Sequence, residues 1–143
     1  MRMFSLKRLN KTVAAFFAIL LLALTACGDT SIPEGMNEED LFNAGKDVAL
    51  LLVDGDYDRV LELLREDQRE LVTADDIAAA VDSQLNAAGE YKYISDHLIT
   101  GQKIDGDPYA IVTLYCEFSK SDVLVRITFD TEMQLVGFSL DRK

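Results

Sequence analysis

The sequence is poor in the residues that build metal, redox and hydrolytic sites. It has two cysteines, Cys27 and Cys116, and one histidine, His97. Two cysteines cannot supply a zinc site of several thiolates. No Gly-x-Ser-x-Gly surrounds any serine, so a hydrolase triad has no nucleophile motif. Asp54, Asp56 and Asp58 alternate like the start of a calcium loop. That loop needs glycine at its sixth position and glutamate at its twelfth, and these are Arg59 and Arg65 here. The three acids are therefore read as a turn between helices. The apolar run Val13 to Leu24 falls short of the roughly 20 residues of a membrane span. Basic side chains are also scarce, with 14 Lys and Arg against 25 Asp and Glu and a net charge of −11. Four of the 14 are Arg2, Lys7, Arg8 and Lys11, so the chain after residue 26 carries ten basic against 25 acidic side chains, a balance of −15. So acidic a surface excludes nucleic acid as a partner and disfavours lying flat on anionic lipid. Its general effect is solubility.

The first feature that is present is a leader. A basic stretch without acids precedes the apolar run, in the order of a secretory signal. The run ends Leu24-Thr25-Ala26-Cys27-Gly28, which resembles the bacterial lipoprotein box. The resemblance implies that the Cys27 thiol receives a diacylglyceryl group and becomes the first residue after cleavage. A thiolate is the nucleophile such a transfer needs. Two acyl chains give lasting attachment where one is marginal. The expected organisation is a signal peptide at 1–26, a lipidated cysteine and tether at 27–37, and one domain at 38–143. The expected location is the cell membrane, on its extracytoplasmic face. With Cys27 acylated, Cys116 is left alone and no internal disulfide forms. As a loose coil the tether has a mean span of about 18 Å, and at most about 37 Å when extended.

The domain divides by hydrophobic period. Asn37 is a predicted N-cap, with Glu38, Glu39 and Asp40 in the first helical turn. Leu41, Gly45, Val48, Ala49 and Leu52 share one helical face. Gly55 stops that helix, and Asp56 caps a second with the stripe Tyr57, Val60, Leu61 and Leu64. Thr73 and Asp76 approximate a capping box for a third, with Ile77, Val81, Leu85, Ala78 and Ala88 inward. From Tyr91 the period becomes two. Ala110, Val112, Leu114, Cys116 and Phe118 share one strand face, as do Val123, Val125, Ile127 and Phe129, and then Val136, Phe138 and Leu140. Tyr91 to Ile104 reads as a less regular strand bulged near Asp96. Three N-terminal helices packed on a four-stranded antiparallel sheet make an α+β fold.

Certain stretches carry a resemblance. Gly55-Asp56-Tyr57 follows an apolar helix, Gly89-Glu90-Tyr91-Lys92 enters the sheet, and Phe129-Asp130 precedes Leu135-Val136-Gly137-Phe138. In this order they resemble the bacterial domain-of-unknown-function family 3887. The similarity covers about residues 38 to 141. It implies a curved sheet wrapped around the helices as a cone, similar to nuclear transport factor 2 in the cystatin-like group. It brings no catalytic residue, cofactor or metal, and it implies an accessory role.

Two functional readings result. The first is a non-catalytic binding or protein-interaction module held at the membrane. Tyr109, Ile111, Thr113 and Tyr115 alternate away from the core face and are the candidate interface for a homodimer or another protein. The alternative is a small-molecule-binding or enzymatic cone, with His97 and a carboxylate such as Asp96 in its pocket. Against it, neighbours on a regular strand point to opposite faces. A lone histidine is by default a rim residue. Cys116 lies on the apolar face, where thiols are inert core groups.

Overall fold

The computed structural model describes residues 29–143. The expected signal peptide and the residues read as a lipoprotein box, Leu24, Thr25, Ala26 and Cys27, lie outside them. The helices are α1 (Glu38–Asp54), α2 (Tyr57–Leu63), α3 (Glu66–Arg69) and α4 (Ala74–Ala88). The strands are β1 (Tyr91–Ile104), β2 (Asp107–Phe118), β3 (Val123–Asp130) and β4 (Leu135–Arg142). The sheet is an antiparallel meander in the order β1-β2-β3-β4. The expected α+β architecture is therefore present. A single turn of helix, α3, is added where helix two was expected to fade.

Local chemistry explains the boundaries. The Asn37 side chain accepts from the amides of Glu39 and Asp40, and Gly55 ends α1 at φ 73°. The Asp56 carboxylate accepts from the Arg59 amide and starts α2. Thr73 and Asp76 form a reciprocal capping box on α4. The buried residues of α1 are the five apolar-face residues named from the sequence.

One face of the sheet carries the core. Val112, Leu114 and Ile127 are fully buried there, against Leu41 and Leu52 of α1 and Val60 of α2. The last strand departs from simple alternation. The register shifts between Thr128 and Phe129, so Leu135 and Phe138 enter the core. Val136, expected beside Phe138, is buried outside that core. Helix α4 seals the β4 edge: the Gln84 amide donates to the Leu140 carbonyl at 3.0 Å and accepts from the Arg142 amide at 3.2 Å.

The stretch read as a loose tether is folded from Asp29 onward. The Gly101 amide of β1 donates to the Thr30 carbonyl at 2.8 Å. Ile32 and Met36 pack against the core. Gly101 is what admits this segment, because any Cβ there would overlap the Ser31 carbonyl.

Helices α2 and α4 are joined by a hydrogen bond from the Tyr57 hydroxyl to the Asp82 carboxylate. Burial first, then this bond, pushes the phenol up to about 12 from 10.0. A raised folded-state pKa stabilises the fold below the unfolded value. That contribution is expected to be full below pH 10 and to vanish as pH rises from about 10 to about 12. Tyr57→Phe should cost about 1 kcal/mol at pH 7, measured by urea denaturation, and should flatten the alkaline loss.

Candidate functional site

A groove of about 470 Å³ opens between α1, α2 and the β3–β4 turn. That volume falls within the range of small-molecule sites, about 300–1,000 Å³. Helical spacing builds its first wall: Ala44, Val48 and Leu51 on α1 lie at i, i+4 and i+7, with Asp47 and Asp54 beside them. Arg59 and Leu63, four apart on α2, make the second wall. Phe129, Met133 and Leu135 close the sheet side. The lining is mostly apolar, and Leu63 is 48% exposed. Two carboxylates and one guanidinium are its charged groups. Among the described residues no ion pair takes up Asp47, Asp54 or Arg59.

The sheet-side wall is held by charge. The Asp130 carboxylate accepts from the amides of Glu132 at 3.0 Å and Gln134 at 2.9 Å. Its other oxygen meets the Arg65 guanidinium at 3.3 Å. Met133 then takes φ 64°, the left-handed region, at the groove. Arg65 grips Asp67 as well, through two nitrogens at 2.7 and 2.9 Å. The guanidinium beside it draws the Asp67 carboxyl down to about 2. The Arg65 amide donates to the Leu135 carbonyl at 2.7 Å, tying the segment after α2 to the start of β4.

The residues singled out in the sequence lie elsewhere. His97 pairs with Leu114 on the core side of β1, at an exposed rim position, and its ring rests 4.5 Å from that of Phe42. Asp96 pairs with Tyr115 on the opposite face. Its carboxylate accepts the His97 backbone amide at 2.8 Å, not the ring. These two side chains therefore diverge, as neighbours on a strand do. Neither lines the groove.

Tyr109, Ile111, Thr113 and Tyr115 do share the face away from the helices. Ile111 pairs with Thr100 and Thr128, and Thr113 with Leu98 and Arg126. Ile111 and Thr113 are already buried, at 4% and 9%, while Tyr109 and Tyr115 are half-buried. Leu98, at 53%, and Tyr93, at 52%, are large apolar side chains this face exposes beside them. Cys116 is buried, and its burial pushes the thiol up to about 11.

Residues 46–138 match the family described as a protein of unknown function, DUF3887. The chain belongs to this family. The DUF3887 match begins inside α1 and ends in β4, so it takes in the groove from Asp47 to Leu135 and leaves out the segment docked at Gly101. The chain is also similar to a solved structure titled "NMR structure of protein from Ruminococcus gnavus ATCC 29149". The identity is 21%, covering 77% of this chain and 96% of that one, with a TM-score of 0.67. That likeness supports the fold of this DUF3887 protein. No curated protein matches the chain.

The groove residues Asp47, Arg59 and Met133 had no signal as a site in the sequence. Asp54 reads, with Asp56 and Asp58, as part of a turn between helices. Only the closing of α2 and the β3–β4 turn over Asp47 and Asp54 makes a recess.

Proposed function

We propose that this protein is a lipid-anchored binding module on the extracytoplasmic face of the cell membrane, and that the groove is its binding site. The groove carries the reading: it is an apolar recess of ligand size whose charged groups have no ion-pair partner in the described chain. The box Leu24-Thr25-Ala26-Cys27 supports the anchor. Helices on one face of the sheet, with an opening beside the first, suit the cone arrangement of cystatin-like and nuclear transport factor 2-like proteins. The preferred ligand is a small apolar molecule with a cationic group. Asp47 and Asp54 lie two helical turns apart, about 10 Å, and outnumber Arg59.

Fluorescence titration with dansylcadaverine, an apolar amine, tests this against anilinonaphthalene sulfonate, an apolar anion. Saturable binding of the amine, tighter than that of the anion, is expected. Replacing Asp47 and Asp54 together by lysine should weaken amine binding about tenfold or more at low salt. No saturable binding, or equal binding by the variant, would overturn the proposal.

A further inference from the structure

The segment that follows Cys27 is folded onto the sheet, and this limits how the domain can sit. Thr30 is held by the Gly101 amide, and Ile32 and Met36 are anchored in the core. Two residues, Gly28 and Asp29, lie between Cys27 and Thr30, so the three steps of chain reach at most about 11 Å. The lipid attachment point therefore stays within that distance of the docked segment. Gly101, Ala110 and Phe129 lie in one row across β1, β2 and β3. Phe129, in the groove wall, is thus about 10 Å from Gly101 at ordinary strand spacing. The turn Ser119–Ser121 lies at the other end of β2, about 27 Å away along the strand.

We infer that the bilayer is the partner of the Gly101 end of the sheet: the docked segment acts as a short strut that holds this end, with its groove, toward the lipid. This rests on the proposed acylation of Cys27. Charge does not produce the orientation. Lys103 near Gly101 is outnumbered by the exposed Asp105 and Asp107, so attraction to anionic lipid is not the cause. The cause is covalent: a lipid on a leash too short to let the domain turn over. A ligand in the groove would then be exchanged close to the membrane surface.

The test uses the full acylated chain in phosphatidylcholine vesicles that carry a minor fraction of headgroup-nitroxide lipid. A fluorophore is placed on Lys103→Cys or, separately, on Lys120→Cys. Cys116 is buried and stays unlabelled. Quenching at position 103 should exceed that at 120 roughly threefold or more, because the two sit at opposite ends of the sheet. Inserting about ten Gly and Ser residues between Gly28 and Asp29 should remove the difference by lengthening the leash. Gly101→Ala, which displaces Ser31, should do the same. The insertion lies outside every helix and strand, so it reports even where Gly101→Ala does not fold. Equal quenching at both positions in the uninserted chain, with the protein still on vesicles, overturns the orientation and leaves the anchor standing. Failure of the purified chain to carry lipid or bind vesicles overturns the anchor itself.

Discussion

Cys27→Ala is expected to move the protein from the membrane fraction to the soluble one. The proposed attachment depends on one atom, the Cys27 sulfur. A single myristoyl-sized chain gives an association constant of about 10⁴ M⁻¹, which is marginal, and each further buried methylene adds about 0.8 kcal/mol. A diacylglyceryl group is therefore far past the balance point, and its loss is a change of many orders of magnitude. Nothing in the described chain replaces it. No helix among the described residues is long and apolar enough to cross a membrane. The acidic balance gives no attraction to anionic lipid. The native chain should enter the detergent phase on Triton X-114 partition and show an intact mass that includes the lipid and lacks residues 1–26. The variant should stay in the aqueous phase with an unprocessed leader or none. Unchanged mass and unchanged membrane retention would end the anchoring proposal.

The fold was readable wherever one residue type has one physical use. Asn37, Gly55 and Thr73 bound their helices because capping oxygens and left-handed glycines act over two or three residues. The core faces of α1 and β2 were readable because the residues that pack into the core follow the period of the element, although burial on β2 extends to Ile111 and Thr113 of the other face. Val136 was not, because a register shift depends on the partner strand. The docking of Thr30 to Gly101 was not, because a glycine that admits a distant backbone looks like any other glycine in a strand. The groove was hidden for a similar reason. Its walls come from Asp47, Arg59 and Met133, which are far apart in sequence, and the Arg65 contacts that set the third wall are tertiary. The diverging directions of Asp96 and His97 were readable, because alternation on a strand is local.

Gly45→Leu is expected to prevent folding of the domain. Gly45 sits in the middle of α1, where glycine ordinarily costs about 1 kcal/mol against alanine. It stands at a close approach of α1 to the sheet, against Val112. A Cβ there would lie 2.7 Å from Cγ1 of Val112, 3.1 Å from its Cβ and 3.4 Å from its Cγ2. Val112 cannot yield easily. It is fully buried, it is β-branched and stiff at χ1, and its cross-strand neighbours are Ile99 and Ile127. Overpacking of this kind costs about 1–3 kcal/mol for added methylenes, and more when backbone must move. For Gly45→Ala the helix gain and the packing loss oppose each other, and a net loss of about 1 kcal/mol is expected. For leucine the added volume has nowhere to go but between α1 and β2, so α1 must lift from the sheet. That would uncover Leu41 and Leu52, both buried in the core, and cost a large share of the 5–15 kcal/mol a domain usually has. Urea unfolding followed by circular dichroism measures both variants. In a Val112→Ala background, Gly45→Ala should cost less than it does in the native chain, because the smaller residue opens the space the methyl needs. A Gly45→Ala protein more stable than the native one by the full helix-propensity gain would show that α1 can shift freely. The groove between α1 and the β3–β4 turn would then be adjustable in width, not fixed by the contact of Gly45 with Val112.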